Sequence, residues 1–198
     1  MRILCLYNND IALELFQWIE SMGHDTVLWK DCLTEQWCLE QCFDLTVSYT
    51  YRYIIPPEIL KTLNENVVNL HNSILPWNRG ASPNLWSIID GTPRGVTLHY
   101  MDKQLDKGYV IAQEIVDDCN DESETLASSY NNLDIAAKSL FKKAFKYYEY
   151  WPSLRKKCIG QGSYHSVKDG ECLEKYINSY EMRIDNLRHY IDRNNQQP

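Results

Sequence analysis

Short apolar runs alternate with amphipathic segments through the first two thirds of the chain. Runs typical of β-strands lie at 2–7, 26–29, 45–49, 67–71, 96–101 and 109–116. Helical spacing or an initial proline predicts helices over 11–22, over 57–63, from about Pro83, and from Ser123 to about Tyr150. This alternation predicts an α/β fold in which a mostly parallel sheet has helices on both faces. Sheets of this kind bind ligands beyond the carboxyl ends of their strands.

The C-terminal part of the chain lacks this alternation. From Cys172 to Arg193 there is no proline or glycine, and the pattern predicts one helix of about 20 residues. Its apolar positions form a stripe: Leu173, Ile177, Tyr180, Ile184, Leu187 and Ile191. We expect the stripe to pack either on the chain's own domain or on the same helix of a second subunit, in a homodimer. The organisation predicted is a catalytic domain at 1–150 and a C-terminal helical extension at 151–198.

Length and charge narrow the function classes. The chain has 198 residues, enough for one well-buried domain with a small appendage. It carries 20 basic and 27 acidic residues, a formal charge of −7, and its basic residues are scattered, which argues against binding to nucleic acid. We find no apolar run of about 18 residues and no signal-peptide pattern at the start, so we expect a cytoplasmic protein that does not enter the membrane.

Two common kinds of cofactor site have no motif in the sequence. The seven cysteines include no C-x-x-C pair, and Cys38 and Cys42 are the most closely spaced, so we expect reduced, packed thiols and no bound metal. No glycine-rich phosphate motif occurs, and the first strand-to-helix turn, at 7–10, has no glycine. A dinucleotide or triphosphate in a glycine-rich cradle is therefore not expected.

The strand at 67–71 carries the first candidate chemistry. Because side chains alternate along a strand, Asn69 and His71 project from one face, at the end where parallel sheets bind ligands. Taken alone, the two residues are equally compatible with structural polar groups that close the strand end.

Longer motifs surround these two residues. The run at 69–80 reads NLHNSILPWNRG, the run at 95–108 reads GVTLHYMDKQLDKG, and upstream 48–56 reads SYTYRYIIP. The first two, in this order and at this separation, resemble the signatures of the 10-formyltetrahydrofolate-dependent formyltransferases. That family includes enzymes that formylate methionyl-tRNA, glycinamide ribonucleotide or nucleotide-linked amino sugars. The upstream run resembles the loop that faces the pterin, most closely in its amino-sugar form. The resemblance implies a Rossmann-like formyltransferase fold.

The resemblance also implies a catalytic set of Asn69, His71 and Asp106. His71 would carry a proton or bond the oxyanion, Asn69 would donate to the oxyanion, and Asp106 would hold His71 in its charged form. Asp102 competes with Asp106 for this role, and the family pattern selects Asp106. The formyl donor would be 10-formyltetrahydrofolate, and the order of proton transfers stays open. The residues implied to line the pocket of this folate donor are Arg52, Tyr53, Ile54, Leu98, Met101 and Asp102.

Two classes of acceptor amine can be excluded from the sequence. The chain is short and acidic for a methionyl-tRNA formyltransferase, and its first loop lacks the glycine and serine with which glycinamide ribonucleotide enzymes hold phosphate. The best match is an enzyme acting on a nucleotide-linked amino sugar, such as dTDP-4-amino-4,6-dideoxyglucose or a dTDP-3-amino sugar. Its candidate contacts are Trp77, Arg79, Tyr164, His165 and Lys168. Another small amine, hydrolysis of the donor, or a non-catalytic folate-binding module remain as alternatives.

Overall fold

The computed structural model describes residues 1–116, 123–174 and 176–195. The strands are β1 Arg2–Leu6, β2 Asp25–Trp29, β3 Leu45–Tyr49, β4 Val67–His71, β5 Arg79–Gly80, β6 Gly95–Tyr100, β7 Val110–Ile115 and β8 Tyr164–His165. The helices are α1 Leu13–Ser21, α2 Glu35–Gln41, α3 Pro57–Thr62, α4 Pro83–Asp90, α5 Leu126–Phe145, α6 Trp151–Leu154, α7 Val167–Glu174 and α8 Ile184–Asn195. Short 3-10 turns at Asp10–Ala12 and Tyr148–Tyr150 precede α1 and α6.

The main sheet has six strands in the order β2-β1-β3-β4-β6-β7. Strand β1 pairs in parallel with β2 and β3, and β3 pairs in parallel with β4. Every residue of β3 and β6 is buried, as expected of central strands in a sheet covered on both faces. The mostly parallel α/β sheet predicted from the sequence is confirmed. A second, two-stranded sheet pairs β5 with β8 in parallel.

The chain divides into two compact units that interleave along the sequence. Unit 1 comprises Met1–His71, Leu98–Ala112 and Phe141–Cys158, and unit 2 comprises Asn72–Thr97, Gln113–Leu140 and the chain from Ile159 onward. In unit 1, residues of β1, α2 and α3 form an apolar core that includes Leu4, Leu6, Cys38, Ile59 and Leu60. In unit 2, Ile88, Leu126, Ile184 and Leu187 form another. The boundary at residue 150 stays a prediction.

The single C-terminal helix predicted from Cys172 to Arg193 is wrong. Helix α7 ends at Glu174 and α8 begins at Ile184. Between them the backbone pairs with the start of α5: the N–H of Leu126 donates to the carbonyl of Met182, and that of Ala127 to the carbonyl of Tyr180. The Ser179 hydroxyl accepts the N–H of Glu181, a local bond that competes with helix formation.

The apolar stripe predicted for this segment is buried only in part. Ile184 and Leu187 are buried in the core of unit 2, whereas Tyr180 is 70% exposed. The chain's own domain therefore covers part of the stripe, and the homodimer stays a prediction.

Two other helix boundaries differ from the prediction. The helix predicted from Ser123 to Tyr150 ends at Phe145, and Pro152 lies in the first turn of α6, where the missing N–H of proline costs nothing. The helix predicted over 11–22 begins as a 3-10 turn that Asn9 caps, its α-helical part is Leu13–Ser21, and Asp10 forms an ion pair with Lys30 at 2.7 Å.

The cysteines follow the packing prediction only in part. Cys5 and Cys38 are buried, and burial raises the pKa of their thiols to about 12 and about 11. Cys32 and Cys42 are exposed, contrary to the expectation of packed thiols. Cys119 and the side chain of Cys172 lie outside the described residues.

Candidate active site

The carboxyl end of β4 presents the two polar residues that the sequence singled out. Asn69 pairs with Ser48 of the neighbouring parallel strand β3, and His71 is the last residue of β4. Only 6% of the surface of His71 is exposed, and Asn69 is half-buried. Both residues belong to unit 1.

A tight loop between β6 and β7 carries Asp106. The N–H of Tyr100 donates to the carbonyl of Tyr109 at 2.8 Å, which closes the loop at its base. A side chain at Gly108 would overlap the carbonyl oxygen of Tyr100, so this close approach requires glycine. Asp106 has φ of 52°, a left-handed conformation that aspartate tolerates, and its side chain is buried. The sequence of this loop therefore directs one carboxylate inward.

This carboxylate lies between two histidines. Its Oδ2 is 3.8 Å from Nδ1 of His71, and its Oδ1 is 3.6 Å from Nε2 of His99. These distances exceed those of well-formed hydrogen bonds, although the carboxylate charge still acts on both rings at this separation. Asp102, the competing carboxylate, is exposed and accepts the N–H of Gln104 at 2.7 Å, so it stabilises the turn. The geometry places Asp106, and not Asp102, beside His71.

His99 is a member of the cluster that the sequence analysis did not single out. It is 1% exposed, its ring centroid is 6.3 Å from that of His71, and its Nε2 is 3.3 Å from the side-chain nitrogen of Asn69. Burial lowers the pKa of His99 below its ordinary value, and the nearby charge of Asp106 offsets part of this shift. The alternation within β6 indicates the face on which His99 lies, whereas its place beside Asn69 depends on the strand order, in which β6 follows β4.

The loops after β1 and β3 are tied together beside this cluster in unit 1. Thr50 has φ of 64°, which is uncommon for a β-branched residue, and its hydroxyl accepts the N–H of Asn9 at 3.1 Å. The side-chain oxygen of Asn8 accepts the N–H of Arg52 at 2.9 Å. The backbone N–H of Asn9 and the side-chain oxygen of Asn8 are therefore engaged with the loop after β3.

The residues predicted to contact the folate lie in the loop after β3 and in or just after β6. Arg52 donates to the hydroxyl of Tyr53 at 2.8 Å, and Ile54 is 76% exposed. Met101 packs against the apolar core of unit 1, whereas Leu98 is fully buried within β6. All six predicted residues belong to unit 1, together with the buried cluster.

The five predicted substrate contacts belong to unit 2, and three of them meet on the two-stranded sheet. Arg79 lies opposite Tyr164, and Gly80 lies opposite His165. The guanidinium of Arg79 donates to the carbonyls of Ser163 at 3.3 Å and Gln161 at 3.4 Å, so backbone carbonyls hold it in place.

A ring stack supports His165. Its imidazole lies parallel to the indole of Trp86 at 3.9 Å, and its Nε2 is 2.9 Å from a carboxylate oxygen of Asp90. The buried indole N–H of Trp86 has no hydrogen-bond partner within the described chain. Neither Trp86 nor Asp90 was predicted from the sequence. Of the other predicted contacts, Trp77 is 39% exposed and Lys168 is exposed on α7.

Comparison with known proteins identifies the family. Residues 34–143, more than half of the chain, match the formyl transferase family. The chain belongs to this family. This match confirms the resemblance that the motifs at 69–80 and 95–108 indicated.

Similarity to individual proteins covers more of the chain than the family match at residues 34–143. The formyltransferase PseJ from Anoxybacillus kamchatkensis, solved with UDP-4,6-dideoxy-4-formamido-L-AltNAc and tetrahydrofolate, is 34% identical, with a TM-score of 0.81 over 94% of this chain and 97% of PseJ. The bifunctional polymyxin resistance protein ArnA from Wigglesworthia glossinidia brevipalpis is 38% identical over 101 residues, half of this chain but 15% of ArnA. The fold is also that of Rv3404c from Mycobacterium tuberculosis, at 22% identity and a TM-score of 0.73 over 92% of this chain and 86% of that one.

Two further features are absent from the part of the chain that the structure describes. In residues 1–116, 123–174 and 176–195, no helix combines the length and the apolar character needed to cross a membrane. The same residues include no group of three or more histidine, cysteine or acidic side chains arranged to hold a metal ion.

Proposed function

We propose that this formyl transferase family member moves the formyl group of 10-formyltetrahydrofolate to the amine of a nucleotide-linked amino-dideoxy sugar. The observation that carries the proposal is the buried cluster of Asn69, His71 and Asp106 within the matched family domain. Buried polar groups held at the ligand-binding end of a parallel sheet are typical of catalytic sites.

The chemistry assigns a task to each member of the cluster. The acceptor amine attacks the formyl carbon, an oxyanion develops, the bond from that carbon to N10 of the folate breaks, and a proton passes from the amine to N10. His71 is the proton carrier, because an imidazole can both accept and release a proton, and such transfer contributes typically ~10²–10⁴-fold to the rate. The Asn69 amide donates to the oxyanion, worth ~10²–10³-fold in comparable sites. Asp106 stabilises the positive charge that develops on His71.

Similarity to PseJ supports the sugar class. The bound sugar in that structure is UDP-linked and carries its formamido group at position 4. We therefore favour a 4-amino group as the acceptor here, on a UDP- or dTDP-linked sugar. The exposed aromatic surfaces of Trp77 and Tyr164 suit a nucleobase, and the cations of Arg79 and Lys168 suit a pyrophosphate. The indole N–H of Trp86, for which the described residues offer no hydrogen-bond partner, is a further donor for a ligand in unit 2.

A substrate panel tests the proposal. The purified chain is mixed with 10-formyltetrahydrofolate and, separately, with UDP- and dTDP-linked 4-amino and 3-amino sugars, glycinamide ribonucleotide or methionyl-tRNA. We expect at least one nucleotide-linked amino sugar to gain the mass of a formyl group while tetrahydrofolate appears in equal amount. Efficient formylation of glycinamide ribonucleotide or methionyl-tRNA, with no product from any amino sugar, would contradict it.

Two alternatives are separate outcomes of the same panel. Release of formate from the donor without any acceptor would indicate hydrolysis. Binding of a stable folate analogue, seen as a rise in melting temperature, with no consumption of the donor would indicate a non-catalytic folate-binding module. The intact set of Asn69, His71 and Asp106 favours catalysis over such a module.

A further inference from the structure

The carboxamide of Asn69 has two chemically different ends, and only one of them can serve the proposed reaction. Its nitrogen donates hydrogen bonds, whereas its oxygen would repel a developing oxyanion. A rotation of half a turn about the last side-chain bond exchanges the two ends at little steric cost. The catalytic role proposed for Asn69, on which this inference rests, therefore requires a neighbour that fixes the orientation of the amide.

His99 is held in one tautomer by its own backbone neighbour. Its Nδ1 lies 2.8 Å from the carbonyl oxygen of Tyr100. A carbonyl oxygen only accepts, so the proton of the neutral ring is on Nδ1 and Nε2 presents a lone pair. The ring is almost completely buried, at 1% exposure, which favours the neutral form.

The lone pair of Nε2 faces Asn69. The distance from Nε2 to the Asn69 side-chain nitrogen is 3.3 Å, which suits an N–H donating to a bare ring nitrogen. The flipped amide would place its oxygen lone pairs against that of Nε2, with no proton between them. We propose that His99 is a positioning residue that fixes the Asn69 carboxamide with its nitrogen inward, leaving the second N–H to meet the formyl oxygen.

The same tautomer determines how Asp106 is used. Its Oδ1 is 3.6 Å from Nε2 of His99, but an Nε2 without a proton has nothing to donate. The carboxylate charge is therefore kept for His71, whose Nδ1 lies 3.8 Å away. One histidine orients the amide, and the other moves the proton.

Two substitutions separate this role from a structural one. His99→Gln can place an amide oxygen near the position of Nε2 and so keeps an acceptor for Asn69, but it gives up the bond to Tyr100. His99→Asn can keep a donor near the position of Nδ1 for Tyr100 but has no acceptor for Asn69. We expect kcat of His99→Gln to stay within about tenfold of the parent, and that of His99→Asn to fall by the ~10²–10³-fold of a lost oxyanion donor. KM for donor and acceptor should change little in either variant.

A double-mutant cycle sharpens the test. If His99 acts only through Asn69, adding His99→Asn to Asn69→Ala should cause no further loss of kcat. If the two residues act independently, the fold-losses in kcat of the single variants should multiply. If kcat of His99→Asn is higher than that of His99→Gln, the important contact of His99 is its hydrogen bond to the Tyr100 carbonyl and not the one to Asn69. Equal and severe losses in both variants, together with loss of one limb of the pH–rate profile, would make His99 a proton carrier. Either result overturns the inference.

A measurement without turnover keeps the inference testable if the proposed reaction fails. Nitrogen-15 NMR of the full chain at neutral pH should show His99 neutral and protonated at Nδ1. The side-chain amide protons of Asn69 should exchange slowly in the parent and in His99→Gln, and quickly in His99→Asn. A proton on Nε2, or equal exchange in all three proteins, would refute the orientation role. Absence of formyl transfer by the parent would count only against the proposed function.

Discussion

Two buried polar clusters in this molecule are built in opposite ways. In unit 2, Arg94 makes two bonds to Glu124, at 2.9 and 3.0 Å, and a third to Ser129 at 2.6 Å, and Ser129 in turn donates to Asn84 at 2.9 Å. In unit 1, the carboxylate of Asp106 lies 3.8 Å from His71 and 3.6 Å from His99, and His99 lies 3.3 Å from the side-chain nitrogen of Asn69. The first cluster joins its opposite charges through short, bidentate bonds. In the second, the carboxylate of Asp106 lies 3.6 Å or more from both histidine rings.

The difference supports the proposal that the unit 1 cluster is the one that works on a ligand. Catalytic hydrogen bonds are often long before the reactants arrive and tighten in the transition state, whereas a buried structural ion pair must be fully bonded to offset its desolvation. We therefore expect changes in the Asp106 cluster to affect turnover more than stability. Changes in the Arg94 cluster should affect stability more than turnover.

The largest effect is expected from His71→Ala. Removing the proton carrier should lower kcat by ~10²–10⁴-fold, while affinity for a stable folate analogue stays close to that of the parent. Formyl-transfer rates and a folate titration check this, with His189→Ala, which alters an exposed histidine of α8, as the matched control. Near-normal turnover of His71→Ala would remove His71 from the catalytic set.

The second effect concerns Glu124→Ala. The substitution removes the Glu124 carboxylate from Arg94, which is only 4% exposed. Breaking a buried ion pair of this kind lowers the free energy of unfolding by about 3–5 kcal/mol. Urea unfolding measures the loss, with the exposed Glu181→Ala as control. Should Glu124→Ala fail to fold, Glu124→Gln retains part of the bonding and should give a smaller loss. Unchanged stability in both variants would show that the short bonds of this cluster are not needed.

A third change addresses substrate contacts in unit 2. If Trp77 stacks on the nucleobase, Trp77→Ala should raise KM for the nucleotide sugar roughly tenfold, about 1.4 kcal/mol, with KM for the folate unchanged. Steady-state kinetics measure both constants, and Tyr180→Ala, at a 70% exposed tyrosine, serves as control. An equal rise in both KM values would point to a general structural change instead.

The smallest effect concerns pH. Because the folded-state pKa of His99 is lowered, the unfolded chain takes up a proton near pH 6.5 before the folded chain does. This contribution to stability is complete above about pH 6.5 and is lost as the pH falls below it, by at most about 1.4 kcal/mol per pH unit. His99→Gln should therefore have a flatter dependence of unfolding free energy on pH between about 6.5 and 5. The charge of Asp106 opposes the effect, and parallel curves for the two proteins would count against a neutral buried His99.

The sequence predicted the sheet and the family because both depend on local patterns. Apolar runs specify the buried strands, and Asn69, His71 and Asp106 lie in continuous motifs. The two-residue strands β5 and β8 are too short to show a period, and their pairing joins residues about 85 positions apart. His99 required knowledge of which strand lies beside β4. The break between α7 and α8 arises from backbone pairing with residues near Leu126, which an apolar stripe cannot reveal.

The contrast between the two clusters is tested most directly by Asp106→Asn and Glu124→Gln, compared for kcat and for unfolding free energy in one experiment. Asparagine tolerates the left-handed backbone at position 106, so the substitution changes the charge with little change of shape. We expect Asp106→Asn to lose at least about 100-fold in kcat with less than about 1 kcal/mol of unfolding free energy. We expect Glu124→Gln to lose more than about 1 kcal/mol of unfolding free energy, with less than about 100-fold in kcat. Parent-like turnover in Asp106→Asn, or a loss of activity that only follows the unfolded fraction, would contradict the assignment of the Asp106 cluster to catalysis.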